Sequence, residues 1–323
     1  MKILITGGSG FIGSHLIRRL VASGTELRNI DVKSPHNGSH HAYWLNCSLL
    51  DAQKLRAEIT SFQPTHVVHL AADANMEGRS IEDYPVNVQG VTNLIEAIRQ
   101  TRSVVRVIVT SSQHVRRPGS KDTEDTREYA PHMAYGESKV VTEELTKAAD
   151  LPCCWTIIRP TNVWGMGHPY LVEGLWRLIY RGVYVHPSVD DVVRGYGFVD
   201  NVCWQIESLL TVPEQLISRR VFYVGDRNER QSDWINAFGV GLTGKKVRHV
   251  PRSVIRMLAW VGDAAQRFEV NFPMHSARFY NLTTDNAVPM MPIHELLGEP
   301  PRPWRDAVVA TCSELKRYYE SAR

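Results

Sequence analysis

The first 160 residues alternate short apolar runs, rich in β-branched side chains, with longer stretches in which apolar residues recur every three or four positions. The short runs predict β-strands and the longer stretches predict amphipathic helices. The predicted strands cover residues 2–6, a weaker segment that ends at Asp31, and residues 65–70, 104–110 and 154–158. The predicted helices cover residues 11–22, 52–62, 88–99 and 135–149.

The order of these elements predicts the fold class. Strands that alternate with helices pair in parallel, because each helical crossover returns the chain to the same edge of the sheet. The strand runs are apolar throughout, which is typical of a sheet covered on both faces. We therefore expect an α/β fold with a doubly wound, mostly parallel sheet, whose ligands bind beyond the carboxyl ends of the strands.

The chain changes character after Pro160. Residues 160–195 are rich in Gly, Pro, Trp and Tyr, which predicts a binding segment dominated by loops. Residues 221–224 and 231–242 predict a returning strand and a helix against the sheet. We expect one domain from residues 1–165 and roughly 195–242, and a smaller, mainly helical substrate lobe from roughly 166–194 and 243–323.

Composition excludes several classes of protein. The 323 residues include 37 basic and 34 acidic side chains, a net charge of +3 without a concentrated basic stripe, so we expect no nucleic-acid partner. No run approaches the ~18 apolar residues of a membrane span, so we expect no membrane partner. The apolar run after Lys2 is too short for a signal peptide, and we expect a cytoplasmic protein.

Metal and disulfide sites are not indicated. The five cysteines show no C-x-x-C spacing. The histidines of the segment HNGSHH have no carboxylate or cysteine partners close in sequence, as a metal site would require. We expect no bound metal.

Residues 7–13 read GGSGFIG and lie between a predicted strand and a predicted helix. Gly7, Gly10 and Gly13 permit a tight turn, close approach of the backbone to a pyrophosphate, and close helix–strand packing. The N-terminus of the helix attracts the anion. A turn without a ligand is the alternative for such a string, but the position between strand and helix favours a dinucleotide site.

Asp31 lies 18 residues after Gly13, at the end of the predicted second strand. A carboxylate there accepts hydrogen bonds from the adenosine ribose and repels a 2′-phosphate, which favours NAD over NADP. A surface aspartate in a turn is the alternative, and the nearby Lys33 weakens the discrimination.

Tyr135 and Lys139 are one turn apart on a predicted helix, so they share one face. A phenol with its ordinary pKa near 10 needs a stabilised anion to act as a base near neutral pH. The Lys139 ammonium would supply part of that stabilisation and would also reach the nicotinamide ribose. Ser112, after the preceding strand, would hydrogen-bond the reacting hydroxyl or carbonyl. An exposed aromatic–cation pair is the alternative for the Y-x-x-x-K spacing.

Seven motifs occur in one order along the chain: GGSGFIG (7–13), VVHLAA (67–72), NVQG (87–90), TSS (110–112), YGESK (135–139), RPTNVWG (159–165) and RGYGFVDNV (194–202). Together they resemble the extended short-chain dehydrogenase/reductase family, in particular its branch that acts on nucleotide sugars, over residues 1–242. The resemblance implies a Rossmann domain, tightly held NAD, a homodimer and a catalytic set of Ser112, Tyr135 and Lys139.

The resemblance also implies further binding residues. Those at the cofactor are Phe11, Ile12, Leu70, Ala71, Ala72, Asn87 and Pro160, with Tyr135 and Lys139. Asn162 and Arg194 match positions that meet the substrate's diphosphate, and Ser112 meets the sugar. A guanidinium suits bidentate phosphate recognition, although a surface ion pair is the alternative for Arg194.

Several residues depart from the family's pattern, and two of them bear on the chemistry. Where its sugar 4,6-dehydratases carry an Asp–Glu pair, this chain has Gln113 and His114. Water elimination needs a general acid and a base at those places, so a dehydratase is disfavoured. His114 occupies the slot of a cysteine acid/base in relatives that epimerise beside a keto group, and histidine can transfer protons near pH 7. A purely hydrogen-bonding role is the alternative.

These observations predict an NAD-dependent nucleotide-sugar epimerase that works through a transient keto-sugar. One alternative is an NAD(P)H-dependent keto-sugar reductase or dehydrogenase of the same family. Another is a non-catalytic protein that holds NAD in a regulatory role.

Overall fold

The computed structural model describes residues 1–120, 128–188, 192–266 and 274–322, apart from the side chains of residues 188 and 266. The strands in these residues are β1 (Lys2–Thr6), β2 (Glu26–Asp31), β3 (Trp44–Asn46), β4 (His66–His69), β5 (Arg106–Thr110), β6 (Cys154–Pro160), β7 (Asn162–Trp164), β8 (Val185–Ser188), β9 (Val193–Phe198), β10 (Arg220–Val224), β11 (Arg227–Arg230) and β12 (Arg248–Pro251). The helices are α1 (Phe11–Ala22), α2 (Ala52–Phe62), α3 (Val91–Arg99), α4 (Ala134–Ala148), α5 (Trp176–Tyr180), α6 (Val199–Leu209), α7 (Gln231–Thr243), α8 (Arg252–Gln266), α9 (Ser276–Thr283), α10 (Met291–Leu297) and α11 (Trp304–Ser321).

A seven-stranded sheet with the order β10-β6-β5-β4-β1-β2-β3 forms the centre of the protein, and its neighbouring strands are parallel. Successive side chains of a strand point to opposite faces. Accordingly, Ile3 and Ile5 join one hydrophobic cluster with α1, α6, α7 and α11, whereas Leu4 joins a second cluster with α2 and α3. The predicted doubly wound α/β fold is confirmed, and its two cores explain the uninterrupted apolar strand runs.

The helix predicted over residues 88–99 differs at its start. A π-helical turn over Val86–Gly90 precedes α3. The side chain of Asn87 is buried within this turn, where it reaches neighbouring backbone rather than solvent.

The segment 160–195, expected to be dominated by loops, contains β7, α5, β8 and the start of β9. Trp176 of α5 is fully buried, and its ring stacks on Phe238 of α7 with centroids 4.9 Å apart. Helix α6, which follows β9, was likewise not predicted. These elements are stabilised by contacts between distant parts of the chain, which local hydrophobic periodicity does not detect.

The C-terminal region is mainly helical, as predicted. Strand β12 pairs with β8, and α8 packs on α9. Helix α11, which falls within the predicted substrate lobe, packs on α7 and buries Leu315 in the same cluster as the sheet residue Ile3. The chain therefore returns to the central sheet at its C-terminal helix.

Among the described residues, no helix is long and apolar enough to cross a lipid bilayer. Within the same residues, no group of three His, Cys, Asp or Glu side chains is arranged to hold a metal ion. All five cysteines are free.

Helix α4 buries a polar face. Tyr135, Lys139 and Glu143 follow one another at intervals of one turn and are buried. Glu143 and Arg159 of β6 have no exposed side-chain surface and form two hydrogen bonds, 2.7 Å from Nε to Oε1 and 2.9 Å from Nη2 to Oε2. Arg159 also donates to the Tyr223 hydroxyl at 3.1 Å. This bidentate pair fixes α4 against β6, because a displaced partner would leave a buried charge without compensation.

We expect Glu143→Gln to lower the free energy of unfolding by about 3–5 kcal/mol, since it leaves the buried Arg159 without its counter-charge. Urea denaturation of the holoenzyme measures the change. Glu144→Gln is the matched control, because Glu144 is the exposed neighbour on the same helix, and its effect should stay within about 0.5 kcal/mol. Equal losses in the two variants would contradict the role given to the pair.

Candidate active site

The turn between β1 and α1 is too tight for side chains at its glycines. Gly7 has φ +77°, and a β-carbon there would lie 2.5 Å from the backbone nitrogen of Ala71. A β-carbon at Gly13 would lie 2.4 Å from the carbonyl oxygen of Gly7. Gly10 is the N-cap of α1 and provides no side-chain cap. The first N–H groups of the helix therefore remain available to an anion.

Two polar side chains of β2 hold this glycine turn. The buried Asn29 accepts a hydrogen bond from the Gly8 N–H at 2.8 Å and donates to the Ser9 hydroxyl at 3.1 Å. The Asp31 carboxylate accepts from the Ser9 N–H at 3.0 Å and from the Lys33 N–H at 2.9 Å. Asp31 thus lies beside the glycine turn at the carboxyl end of β2, where the sequence predicts the ribose site.

The segment after β4 forms the wall opposite the glycine turn. Residues 70–72 are half-buried, and the first of them donates its N–H to the Thr6 carbonyl at 2.9 Å. Asn87 accepts from the Asp73 N–H at 2.8 Å and donates to the Ser138 hydroxyl of α4 at 2.9 Å. One buried amide therefore ties this wall to the helix that carries Tyr135 and Lys139.

The remaining predicted cofactor residues lie at the same edge of the sheet. Phe11 and Ile12 form the first turn of α1, and the Phe11 ring meets the His168 ring edge-on with centroids 5.1 Å apart. Pro160 is the last residue of β6. Since all sheet strands are parallel, the carboxyl ends of β1 and β6 face the same side.

Ser112, Tyr135 and Lys139 come together beyond the carboxyl end of β5. The Ser112 hydroxyl accepts from the His114 N–H at 3.2 Å and lies close enough to the Tyr135 phenol to lower its pKa. The Lys139 ammonium donates to the Thr110 carbonyl at 2.8 Å. Lys139 is only 2 % exposed, and Ser112 and Tyr135 are each 7 % exposed. The structure therefore places a hydroxyl, a phenol and an ammonium in one buried group.

Burial sets the charge states of this group. It raises the pKa of Tyr135 to about 12, and the hydrogen bond with Ser112 offsets this only in part. Burial lowers the pKa of Lys139 to about 8, against the negative charge of Glu143. Lys139 is predicted from the sequence to lower the pKa of the phenol, but desolvation is the largest effect on Tyr135 and the net shift of its pKa is upward. A phenolate at neutral pH therefore requires a further positive charge nearby.

His114 lies beside the phenol. Its ring centroid is 6.1 Å from that of Tyr135 and 6.2 Å from that of His132. Burial, followed by the charges of His132 and Arg194, lowers the pKa of His114 to about 4. The imidazole is therefore neutral at pH 7, and its Nδ1 has no hydrogen-bond partner among the described residues. A role for His114 in proton transfer stays a prediction.

Asn162 is already hydrogen-bonded through both ends of its amide. It donates to the Gly195 carbonyl at 2.8 Å and accepts from the Gln113 side chain at 3.0 Å. The first contact joins β7 to β9, the strand that carries Arg194. Asn162 therefore also positions the backbone next to Arg194.

Arg194 is a largely desolvated cation with unused donors. Burial lowers its pKa, against the effects of Tyr196 and Asp285. Its Nη2 makes a long contact of 3.4 Å with the Thr284 carbonyl, and its buried Nε has no hydrogen-bond partner in the described part of the chain. A guanidinium in this condition is suited to bind an anion.

Sequence reasoning missed several residues that support the site. Glu143 and Arg159 brace the helix behind Lys139, and Asn29 braces the glycine turn. His69, at the end of β4, hydrogen-bonds the Thr6 hydroxyl at 2.7 Å, and burial together with the Lys139 charge lowers its pKa to about 3. Single polar residues in strands carry no periodic signal, so only their burial reveals them.

The cradle formed by these elements fits a dinucleotide. Its glycines leave space that any β-carbon would fill, its helix N-terminus offers free N–H groups, and its carboxylate stands at the end of the second strand. These are the features that hold a pyrophosphate and an adenosine ribose.

Comparisons with known proteins agree with this geometry. The model of the family described as "NAD dependent epimerase/dehydratase family" matches residues 3–225. The 3 beta-hydroxysteroid dehydrogenase type 7 of Mus musculus is 28% identical over 260 residues, 71% of this chain and 69% of that protein. The CDP-paratose 2-epimerase of Salmonella typhi is 32% identical over 128 residues, 36% of this chain and 38% of that protein. The structure of the UDP-glucose 4-epimerase of Thermus thermophilus in complex with NAD superposes with a TM-score of 0.73 at 22% identity, over 98% of this chain and 99% of that one.

We expect Gly13→Ala to reduce the NAD content of the purified protein at least tenfold, because the new methyl group would collide with the Gly7 carbonyl in the turn. The cofactor released on denaturation is quantified by chromatography. Gly38→Ala is the control, since a β-carbon at Gly38 meets nothing within 4 Å. Full NAD occupancy in the Gly13 variant would contradict this placement of the pyrophosphate.

Proposed function

The chain belongs to the NAD-dependent epimerase/dehydratase family, and we propose that it is an epimerase that acts on a nucleotide sugar through a transient keto-sugar. It is an enzyme of the extended short-chain dehydrogenase type with NAD as cofactor. This excludes the alternative of a non-catalytic protein that holds NAD in a regulatory role. Arg194 carries the proposal. This desolvated guanidinium has unused donors and influences the charge of His114, whose ring adjoins Tyr135. The diphosphate of a nucleotide sugar would supply the anion that Arg194 lacks.

Two similar proteins are named as enzymes of nucleotide sugars, UDP-glucose 4-epimerase and CDP-paratose 2-epimerase. Their names support the substrate class, and the half-buried Arg194 with its unpartnered Nε supports it independently. The predicted homodimer stays a prediction.

In the proposed reaction, the Tyr135 phenolate accepts the proton of a sugar hydroxyl, while the carbon that bears this hydroxyl loses a hydride and becomes a carbonyl. Ser112 hydrogen-bonds that oxygen, and the Lys139 ammonium, held by the Thr110 carbonyl, stabilises the phenolate. NAD, which the glycine turn and Asp31 would hold, would supply the hydride acceptor and donor, and its oxidised form would add the positive charge that the phenolate needs. Tyr135 then returns its proton as the carbonyl is reduced from the opposite face.

Inversion requires that the sugar turn while its nucleotide stays bound. Arg194 would retain the diphosphate, and Asn162 would support it from the adjoining strand. The sugar can then present its other face to the fixed catalytic group, so the enzyme needs no second set of acid and base.

The residues after Ser112 support an epimerase over a dehydratase. Gln113 is a buried amide that donates to Asn162, and His114 is neutral at pH 7. Neither side chain is a carboxyl group, so the paired acid and base of the family's dehydratases are missing from these two positions.

A second candidate is a dehydrogenase or reductase that releases its reduced or oxidised cofactor. The similarity to the mouse 3 beta-hydroxysteroid dehydrogenase over 71% of the chain favours it. The same Tyr135, Lys139 and Ser112 chemistry serves both reactions, and the difference lies in whether the hydride returns to the substrate.

We expect the holoenzyme to interconvert epimers of at least one sugar linked to UDP, CDP or dTDP, with no net change in absorbance near ~340 nm, because the hydride returns to the substrate. Products are separated by anion-exchange chromatography without added cofactor. Stoichiometric NADH formation would establish the dehydrogenase instead. No turnover of any of the sugars linked to UDP, CDP or dTDP would contradict the proposed substrate class.

Two variants check the residue assignments in this assay. Tyr135→Phe should lower kcat by roughly 100-fold or more, since it removes the proton acceptor. Arg194→Gln should mainly raise KM, roughly 10- to 100-fold, as expected for loss of a charged phosphate contact. Arg219→Gln, at a 61 % exposed side chain, is the control and should change neither constant.

We expect oxidised cofactor to make Tyr135 ionise at lower pH than reduced cofactor, because only the oxidised nicotinamide is positively charged. At pH 9 the holoenzyme with NAD⁺ should hold roughly 100-fold more Tyr135 phenolate than with NADH. Phenolate absorbance near ~295 nm, corrected with Tyr135→Phe, reports this ionisation. Tyr170→Phe is the control, because the Tyr170 ring is 71 % exposed. The phenolate absorbance that this variant removes should be the same with NAD⁺ and with NADH. A Tyr135 signal that is also independent of the cofactor would contradict the mechanism.

A further inference from the structure

Helix α8 exposes an apolar face that the described part of the protein leaves uncovered. Its inner side is buried through Ile255 and Ala259. On its outer side, Met257, Trp260 and Val261 are 57 %, 61 % and 51 % exposed. Val254 and Ala264 continue this row by helical spacing and are also exposed, so apolar side chains occupy the outer face along most of the helix.

Trp260 is exceptional among the tryptophans. The other seven are buried or half-buried, and Trp260 is the one that is exposed. An indole ring in this position suits an interface between water and lipid, because one edge is apolar and the other can hydrogen-bond.

Basic residues precede α8 in the chain and occur within it. Residues 245–266 carry five Lys or Arg side chains and one Asp, a net charge of +4, compared with +3 for the whole chain. The side chains of Lys245, Lys246 and Arg248 are exposed, and the Arg256 guanidinium lies 5.4 Å from the Trp260 ring centroid. Asp263 is engaged by hydrogen bonds with Ser276 at the start of α9. Within residues 245–266, one acidic side chain therefore stands against five basic ones.

We propose that α8 is a peripheral docking surface for an anionic lipid bilayer. Its apolar face would enter the headgroup boundary while the basic side chains at its start and along its edge bind acidic headgroups. An apolar face alone would equally suit a second copy of the chain, but two copies would bring two +4 regions together. Charge complementarity therefore selects an acidic surface as the partner. Peripheral docking needs no spanning segment, so the lack of a long apolar run in the sequence does not bear on it.

The test uses the holoenzyme and two kinds of vesicle, phosphatidylcholine alone and phosphatidylcholine with about 30% phosphatidylglycerol. We expect co-sedimentation with the acidic vesicles at least roughly tenfold stronger than with the neutral ones, and a decrease at high salt. Trp260 emission should shift to the blue on binding. Trp260→Phe should remove that shift but retain co-sedimentation, because the face stays apolar.

The double variant Met257→Ser and Trp260→Ser should lose co-sedimentation roughly tenfold or more. Val309→Ser, at a 65 % exposed valine of α11, is the matched control and should bind like the wild type. The melting temperature of each variant checks that it is folded. Equal binding to both vesicle types, or no binding to either, would overturn the proposal. A wild-type dimer that the double variant converts to monomer would also overturn it, because a second copy would then cover the face.

Discussion

The buried ammonium of Lys139 is the constraint on which the active site depends. It has almost no contact with water, so its charge must be stabilised by the Thr110 carbonyl and by Glu143, one turn further along α4. Glu143 in turn is held by Arg159 of β6. This chain of contacts fixes α4 relative to the sheet, and thereby fixes Tyr135 at the carboxyl edge where the glycine turn also lies. The geometry of the candidate site and the stability of the fold thus rest on the same polar contacts.

Arg159, which is fully buried, and Arg194, which is half-buried, show how a structural cation differs from one that we propose to bind a ligand. Arg159 has a carboxylate partner with two short hydrogen bonds, and the negative charge raises its pKa despite burial. Arg194 has an unpartnered Nε within the described residues, and burial lowers its pKa. Desolvating a cation without pairing it is unfavourable. The unsatisfied arginine is therefore the one that we assign to a ligand, and the paired one to the support of the helix.

Much of the fold and the position of the candidate site could be predicted from the sequence. The alternation of strands and helices predicted the parallel sheet, and GGSGFIG and YGESK mark loci that the structure places at one sheet edge. The helical content of residues 160–195 could not be predicted in this way, because Trp176 is stabilised by stacking on Phe238 of a distant helix. The sign of the pKa shift at Tyr135 could not be predicted from the sequence either, because desolvation depends on side chains from several elements.

The sequence by itself determined the class of fold, the NAD cofactor and the side chains that we propose as catalytic, because each depends on residue type and on spacing within one strand or one helical turn. The tertiary structure decided which charges are compensated, which polar groups support the glycine turn and which helix face the described residues leave uncovered. Those properties depend on burial and on partners far apart in the chain, and hydrophobic periodicity along a single segment contains no information about either.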